Sequence, residues 1–290
     1  MTLYQPGILP PVPNHGRHLE FGLLSGASST AVLHYLQSLE IDENVVVGLG
    51  PNLTGRVDGM RAFQSLSGPD CFVPSTQSDL WCWVRGDDRG EIALRARSIS
   101  TDLSSLLRCD RIVDGFRYNR GLDLTGYEDG TENPEGQKAI ETAIVNGIGV
   151  PYDGSSFVTT QQWVHDLDHF GTYSQVDADN IIGRRLSDNM ELSDAPASAH
   201  VKRTAQESFE PEAFIVRRSM PWATGGDLGL YFTAFGTSLS AFEAQMRRMV
   251  GLDDCVVDGL FQFSRPISGS HFWCPPIKGG RLNLTALQIS

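Results

Sequence analysis

The chain has 290 residues, of which 40% are hydrophobic, and its formal net charge is −12. The length allows one large domain or two of ordinary size, and the hydrophobic content is enough for a core, which excludes global disorder. The acidic balance argues against nucleic acid and against an anionic membrane surface as partners, because both require a basic face on the protein.

The first half of the chain predicts a β-α-β-β-α order. Strands are predicted at residues 19–24, 45–49 and 79–85, and helices at residues 28–39 and 92–98. Strand 79–85 alternates apolar residues with tryptophans, which is typical of a sheet that is covered on both faces. The order approaches a ferredoxin-like pattern, although the closing strand is not located by the sequence.

The second half repeats this plan less clearly. Strands are predicted at residues 156–164, 213–216, 229–235 and 261–264, and a helix at residues 239–249. Residues 177–199 are polar and contain a proline, so they predict a long loop, and a long ordered loop in a compact domain is usually functional. The two halves together predict an α+β protein.

The five cysteines give information about the compartment. Their number is odd and no two have Cys-x-x-Cys spacing, so neither a disulfide framework nor a zinc site is expected. The first 13 residues lack a basic region followed by an apolar run, and no window has the roughly 18 consecutive apolar residues of a membrane span. A cytoplasmic protein is therefore expected.

A loop-like segment at residues 126–134 surrounds one carboxylate with turn-forming residues. Gly126 and Gly130 allow tight turns, and Asn133-Pro134 favours an extended or turn conformation. Such a loop fixes the position of Asp129, as a catalytic acid or base requires. The alternative is an ordinary surface turn, since Asp-Gly is common in hairpins.

Two features stand out among the seven histidines. His165 and His169 have the spacing that places two ligands on one helix face, but they lack the glutamate of the zinc-protease motif. His200 follows a segment of small residues and lies near Arg184, Arg185, Lys202 and Arg203 in the sequence. A single histidine can bind haem iron axially, because the porphyrin supplies the other ligands, and such cations suit the two haem propionates.

These motifs together resemble the dye-decolorizing peroxidases, the bacterial B-type branch most closely. The resemblance runs from about residue 50 to residue 275, and its elements occur in the same order. Besides the Asp129 loop, the His200 segment and Ile215-Val216-Arg217, the matching segments are Ser75–Trp81, Arg85–Gly90, Gln161–Leu167, Ile182–Arg184 and Asp258–Pro266.

The resemblance implies a role for each matching residue. His200 is implied as the proximal iron ligand, and Asp258 as the carboxylate that hydrogen-bonds it. Asp129 is implied as the distal carboxylate and Arg217 as the distal arginine. The remaining matches are a polar distal position, two apolar positions over the haem and a position near a propionate: Ser219, Leu230, Phe232 and Arg184.

The register of the distal arginine is ambiguous by one residue. Arg217 and Arg218 are adjacent, and the stretch between His200 and this pair contains a variable-looking segment at residues 204–211. The Ile-Val-Arg match and the serine two residues later favour Arg217.

The resemblance also implies the fold and the activity. The fold implied is two ferredoxin-like halves with antiparallel sheets, of the dimeric α/β-barrel type. Residues 1–145 would form the N-terminal half with the Asp129 loop, and residues 146–290 the C-terminal half with one haem b. The implied activity is reduction of hydrogen peroxide and oxidation of dyes or other organic donors through a ferryl haem, in a homo-oligomer (dimer or higher). Bulky donors would pass electrons through aromatic residues, with four candidates: Trp163, Trp222, Tyr231 and Trp273.

Two alternatives belong to other classes of protein. A haem-handling or haem-carrier protein would need His200 and an apolar pocket, but not Asp129 together with Arg217. In a protein without any cofactor, every one of these motifs would have only a structural role. Such a protein would lack the Soret band expected of a peroxidase or a haem carrier. The tail after Pro276 shows no long linker of the kind expected for a cargo signal.

Overall fold

The computed structural model describes residues 3–55 and 57–288, and a closed antiparallel sheet organises them. The strands are β1 His15–Leu23, β2 Val45–Leu49, β3 Leu66–Ser67, β4 Phe72–Val73, β5 Leu80–Gly86, β6 Leu107–Phe116, β7 Ser156–His165, β8 Val216–Arg217, β9 Met220–Thr224, β10 Asp227–Gly236, β11 Ser264–Pro266, β12 Ser270–Cys274, β13 Ile277–Lys278 and β14 Arg281–Leu282. The helices are α1 Ser29–Ser38, α2 Pro51–Thr54, α3 Arg89–Leu103, α4 Gly136–Ala143, α5 Leu167–Phe170, α6 Gln175–Ile182, α7 His200–Arg203 and α8 Ser240–Met249.

The main sheet closes into a barrel. Its strands follow the order β7-β12-β2-β5-β1-β6-β9-β10, and β10 pairs again with β7. Within the sets β2-β5-β1-β6 and β12-β7-β10-β9, neighbouring strands pair over several residues. The two sets meet at two seams, and each seam consists of one residue pair, Gly115–Trp222 or Leu49–Trp273. The barrel therefore consists of two four-stranded sheets joined at narrow seams, and β8 and β11 pair at its rim with β10 and β7.

Strand β5 shows why the sheet has apolar residues on both faces. Leu80, Cys82 and Val84 point towards a core formed with α1 and α3, while Trp81 and Trp83 point into a second core inside the barrel. Side chains alternate between the faces of a strand, so such a sequence can cover both faces of one sheet. The prediction of a sheet covered on both faces at residues 79–85 agrees with this arrangement.

Several predicted elements differ from those in the structure. The closing strand of the first half is β6, whose outer face carries charged pairs such as Arg17–Asp114 and therefore hides the alternation. The predicted strand 213–216 is reduced to β8, and the predicted strand 261–264 is mostly a 3₁₀ turn followed by β11. The predicted loop 177–199 begins inside α6, which Ser174 caps.

The segment Gln5–Pro11, named here the N-terminal strap, is bound to the barrel by side chains. Gln5 exchanges two hydrogen bonds of 2.8 Å with the backbone of Val47. Arg85 donates to the carbonyl oxygens of Gly7 and Pro11, and Arg218 donates to those of Leu9 and Pro10. Burial lowers the pKa of both arginines to about 10, so the strap supplies the oxygens that these buried cations require.

None of the helices in residues 3–55 and 57–288 is long and apolar enough to cross a membrane.

Candidate active site

The Asp129 loop lies between β6 and α4 and is held by backbone turns. Gly126 and Gly130 have φ values of +91° and +84°, which only glycine adopts without strain. At Gly130 a Cβ would also lie 3.0 Å from the side-chain nitrogen of Asn133. The Asp129 amide donates a hydrogen bond of 3.2 Å to the Gly121 carbonyl, which closes the loop and fixes the backbone of Asp129.

Asn133 fastens this loop to the strand that carries the predicted distal arginine. Its Oδ1 accepts a hydrogen bond from the Arg217 amide at 2.7 Å, and its Nδ2 donates to the Arg217 carbonyl at 3.0 Å. The Asn133 side-chain amide thus makes the two hydrogen bonds that the backbone of a neighbouring strand would make with Arg217 of β8. Sequence analysis used Asn133 only as a turn residue, so this contact was not predicted.

The adjacent arginines Arg217 and Arg218 have different environments. The Arg218 guanidinium is bonded to the carbonyls of the N-terminal strap and to that of Arg217. In the described part of the chain, the Arg217 guanidinium lines the same cavities as Asp129 and His200, which Arg218 does not reach. Of the two arginines, only Arg217 lines the cavities that His200 lines, and Arg217 as the distal arginine stays a prediction.

His200 begins α7, and Asp258 fixes the orientation of its ring. The His200 Nδ1 lies 2.8 Å from the Asp258 Oδ2, and the other carboxylate oxygen accepts from the Leu260 amide at 2.8 Å. The Asp258 side chain is 0% exposed, so it lies deep in the core. Since the carboxylate accepts the Nδ1 proton, Nε2 carries the free lone pair that a metal ligand requires.

His200 opens onto two adjoining cavities, named here together the haem cavity. Both cavities are lined by Asp129, His200, Thr204, Arg217 and Gln245. One side is apolar, and the residues that form it come mainly from β10 and α8: Leu230, Phe232, Phe242, Met246, Met249 and Leu260.

The side chains of this cavity fit a haem. A flat apolar ring system matches the apolar wall, and an imidazole with a free Nε2 matches an axial iron site. Leu230 and Phe232 are two residues apart on β10, so both face the cavity. Gln245 and Thr204 also line it, and sequence analysis missed both residues because neither belongs to a recognised motif.

Two further predicted site residues, Arg184 and Ser219, lie at the edges of the haem cavity and of its neighbouring cleft. Arg184 lines the cavity beside His200, and its guanidinium is bonded to Glu132 at 2.6 Å and to Glu191 at 3.4 Å. Ser219 is buried and accepts a hydrogen bond from the Thr233 amide at 3.4 Å. Ser219 lines the outer cleft described next, together with Asp129 and Arg217, and not the haem cavity.

A wide cleft of about 900 Å³, named here the entrance cleft, reaches Asp129 and Arg217 from outside. The N-terminal strap forms much of its apolar side, and four arginines line it: Arg117, Arg120, Arg217 and Arg218. A small polar molecule therefore has a route to the carboxylate and the guanidinium that does not cross the apolar wall.

The charge of Asp129 depends on its surroundings. Burial raises the pKa of this carboxyl above the ordinary aspartate value, Arg217 opposes the increase, and the negative charge of Asp123 adds to it. Asp129 can therefore hold a proton in mildly acidic solution more readily than an exposed aspartate.

The pair His165 and His169 is arranged differently from a metal site. His165 lies between Ser264 and Asp123, and the His169 Nε2 lies 2.9 Å from the Tyr173 hydroxyl. Among the described residues there is no group of three or more His, Cys, Asp or Glu side chains that could hold a metal ion. The four aromatic relay candidates, Trp163, Trp222, Tyr231 and Trp273, are at most 5% exposed, so they belong to the core rather than to the surface.

Comparisons with known proteins agree with this geometry. The family model for the C-terminal part of Dyp-type peroxidases matches residues 120–279. A dye-decolorizing peroxidase of Mycolicibacterium paratuberculosis is 30% identical over 224 residues, which are 75% of this chain and 63% of that protein.

Solved structures extend the likeness to the fold. A dye-decolorizing protein from Vibrio cholerae has 26% identity, covers 98% of both chains and has a TM-score of 0.85. A variant of DypB from Rhodococcus jostii in complex with heme has 26% identity, covers 92% of this chain and 94% of its own, and has a TM-score of 0.83. The family membership that the sequence motifs predicted is thus confirmed, and the chain belongs to the Dyp-type peroxidase family.

Proposed function

We propose that this protein is a haem-dependent peroxidase that reduces hydrogen peroxide and oxidises organic donors such as dyes. The observation that carries the proposal is the arrangement of one cavity. His200 presents a free Nε2 to it, with Asp258 behind the ring, and Asp129 and Arg217 line the same space. The heme complex of a Rhodococcus jostii relative of similar fold supports haem b as the cofactor, one per chain.

The fold proposed for this function is two ferredoxin-like halves. A ferredoxin-like β-α-β-β-α-β unit places its strands in the order 4-1-3-2, and both β6-β1-β5-β2 and β12-β7-β10-β9 follow this order. The proposed boundary near residue 145 falls between α4 and β7. The haem is assigned to the second half, because His200 and the apolar wall come from residues after 146.

Haem supplies an iron centre that can give two electrons to a peroxide. His200 would hold the iron, and the Asp258 carboxylate would keep the imidazole oriented and make it more basic. Arg184 is the proposed cation near a propionate, and Leu230 and Phe232 would contact the face of the ring. Leu230 and Phe232 would exclude water from the apolar side of the cavity, and peroxide would occupy the polar side.

Asp129 and Arg217 would perform the proton and charge steps. The Asp129 carboxylate would accept a proton from one peroxide oxygen and return it to the other, departing oxygen. Arg217 stabilises the negative charge that develops on that departing oxygen, since a guanidinium stays protonated at every working pH. Asn133 holds Arg217 by two backbone hydrogen bonds, which keeps the cation in place before peroxide arrives.

A haem carrier is the alternative, and the site does not favour it. Storage of haem requires His200 and the apolar wall, but it gives no reason for a carboxylate with a raised pKa beside a guanidinium that faces the cavity. Homo-oligomerisation and a cytoplasmic location stay predictions from the sequence.

The test is to purify the protein with haem and record its absorption spectrum before and after addition of hydrogen peroxide. A Soret band that changes with peroxide and returns when a phenol or an anthraquinone dye is added is expected. Absence of a Soret band after reconstitution would reject haem binding. A Soret band that does not respond to peroxide would favour the carrier.

A further inference from the structure

His165 is held at both ring nitrogens by groups from different parts of the chain. Its Nδ1 lies 2.7 Å from the Ser264 hydroxyl of β11, and its Nε2 lies 3.2 Å from the Asp123 carboxylate of the Asp129 loop. The Asp123 Oδ1 accepts two further hydrogen bonds from Thr125, from the amide at 2.8 Å and from the hydroxyl at 2.6 Å. The three side chains form one continuous hydrogen-bonded row: Ser264, His165 and Asp123.

This row joins two spaces. His165 and Ser264 both line the haem cavity, and both also line a separate open cleft of about 500 Å³, named here the side cleft. The ionisable side chains that line the side cleft, besides His165, are mostly acidic: Asp166, Asp168, Asp227 and Arg265. An opening lined by acidic side chains attracts protons, whereas the entrance cleft is lined by four arginines.

Asp123, the third member of the row, lines neither the haem cavity nor the side cleft. Asp123 belongs to the same loop as Asp129, six residues earlier, and its charge raises the pKa of Asp129. Burial on its own would raise the pKa of Asp123, but the hydrogen bond and charge of His165 lower it below the ordinary aspartate value. Asp123 therefore stays an ionised carboxylate beside the His165 ring, where it accepts the hydrogen bond from Nε2 and can stabilise a positive charge on the imidazole.

Such a route serves the reductive half of the reaction when large donors stay outside the haem cavity. Reduction of one hydrogen peroxide to two water molecules consumes two electrons and two protons. A donor that cannot enter the cavity delivers electrons through the protein, but protons need a chain of hydrogen-bonding groups. Electrons and protons then reach the iron site by different paths.

We propose that Ser264 and His165 carry protons from the side cleft to the haem cavity during the reductive half of the reaction, with Asp123 stabilising the protonated His165 ring. The inference rests on the proposed peroxidase function. A hydronium ion in the side cleft gives a proton to the Ser264 oxygen while the Ser264 hydroxyl proton passes to His165 Nδ1, so that the ring becomes an imidazolium beside Asp123. The Nδ1 proton then returns to Ser264 while the Ser264 proton passes to water in the haem cavity, so one proton crosses and both side chains return to their starting state.

The experiment compares His165→Ala and Ser264→Ala with His169→Gln as a matched control in the haem-loaded protein. His169 is an exposed histidine four residues away that lines none of the described cavities. Stopped-flow spectra measure the peroxide step and the return to the ferric spectrum separately. A pH indicator in weakly buffered solution measures proton uptake directly.

In both row variants we expect an unchanged peroxide step, with the return to the ferric spectrum and the proton uptake slowed together by about a hundredfold. Added imidazole should restore both rates in His165→Ala, because the side cleft is open to solvent. His169→Gln should behave as wild type.

Wild-type proton uptake in both row variants would overturn the inference while leaving the peroxidase function intact. Slowing that imidazole does not restore would also overturn it, because His165 would then have only a structural role. If His165→Ala fails to load haem, Ser264→Ala decides, since it removes only one hydroxyl. Absence of any peroxide reaction in the wild type would instead reject the proposed function itself.

Discussion

The two hydrogen bonds between Asn133 and the Arg217 backbone allow a sharp test of the site. They join the Asp129 loop to β8, so they set the distance between the proposed base and the proposed cation. Asn133→Ala removes both bonds and leaves the charges of Asp129 and Arg217 unchanged. Any loss of rate then reports on the position of the guanidinium rather than on its presence.

The size of the effect follows from the contacts. Each hydrogen bond contributes about 1 kcal/mol net, so the unfolding free energy should fall by about 2 kcal/mol. A displacement of about 1 Å at a reacting group can cost a hundredfold in rate, whereas loss of a preorganised donor costs about 100- to 1,000-fold. We therefore expect Asn133→Ala to slow the peroxide step by about 10- to 100-fold, which is less than Arg217→Ala.

The assay is a double-mutant cycle on the peroxide step, followed by stopped-flow absorbance with matched haem loading. Asn133→Ala should have its full effect in the wild-type background and almost none in Arg217→Ala, because nothing remains to be positioned. Asn133→Asp keeps the acceptor for the Arg217 amide but loses the donor to its carbonyl, so its rate should be intermediate.

An equal effect of Asn133→Ala in both backgrounds would refute the reasoning, because the asparagine would then act on something other than Arg217. A wild-type peroxide rate in a variant that has lost stability would refute it as well.

Three further results are expected at the same site. Arg217→Ala should slow the peroxide step about a hundredfold or more, whereas Arg218→Ala should lower the melting temperature and spare that step, as stopped-flow and thermal unfolding will show. His200→Ala should lose most bound haem, and Asp258→Asn should weaken haem binding or activity by about 10- to 100-fold with a shifted Soret band. The peroxide rate of the wild type should fall as the pH is lowered through the raised pKa of Asp129, since only the carboxylate accepts a proton, and Asp129→Asn should lack this acid limb.

Some features of the site were predictable from residue order alone. Asp129, His200 and Asp258 belong to short motifs whose glycine and small-residue neighbours are themselves visible in the sequence. The choice between Arg217 and Arg218 is different, because alternation in a strand of two residues gives no periodic signal. The structure distinguishes them through contacts with the N-terminal strap, which is about 200 residues away in the chain.

Other features were missed because their cause lies in distant pairing. Strand β6 carries exposed charges on one face, and its pairing with β1 and β9 rather than its own hydrophobicity makes it a strand. The row of Ser264, His165 and Asp123 joins three segments that the sequence separates by up to 141 positions. The motif containing His165 was recognised, but its partners depend on how the barrel closes.

The N-terminal strap has a practical consequence for anyone who engineers this protein. Its carbonyl oxygens solvate the guanidinium groups of Arg85 and Arg218, and Arg218 is the immediate neighbour of Arg217. Trimming these residues would remove both carbonyl oxygens that Arg85 uses and two of the three that Arg218 uses, and would disturb the strand next to the cavity.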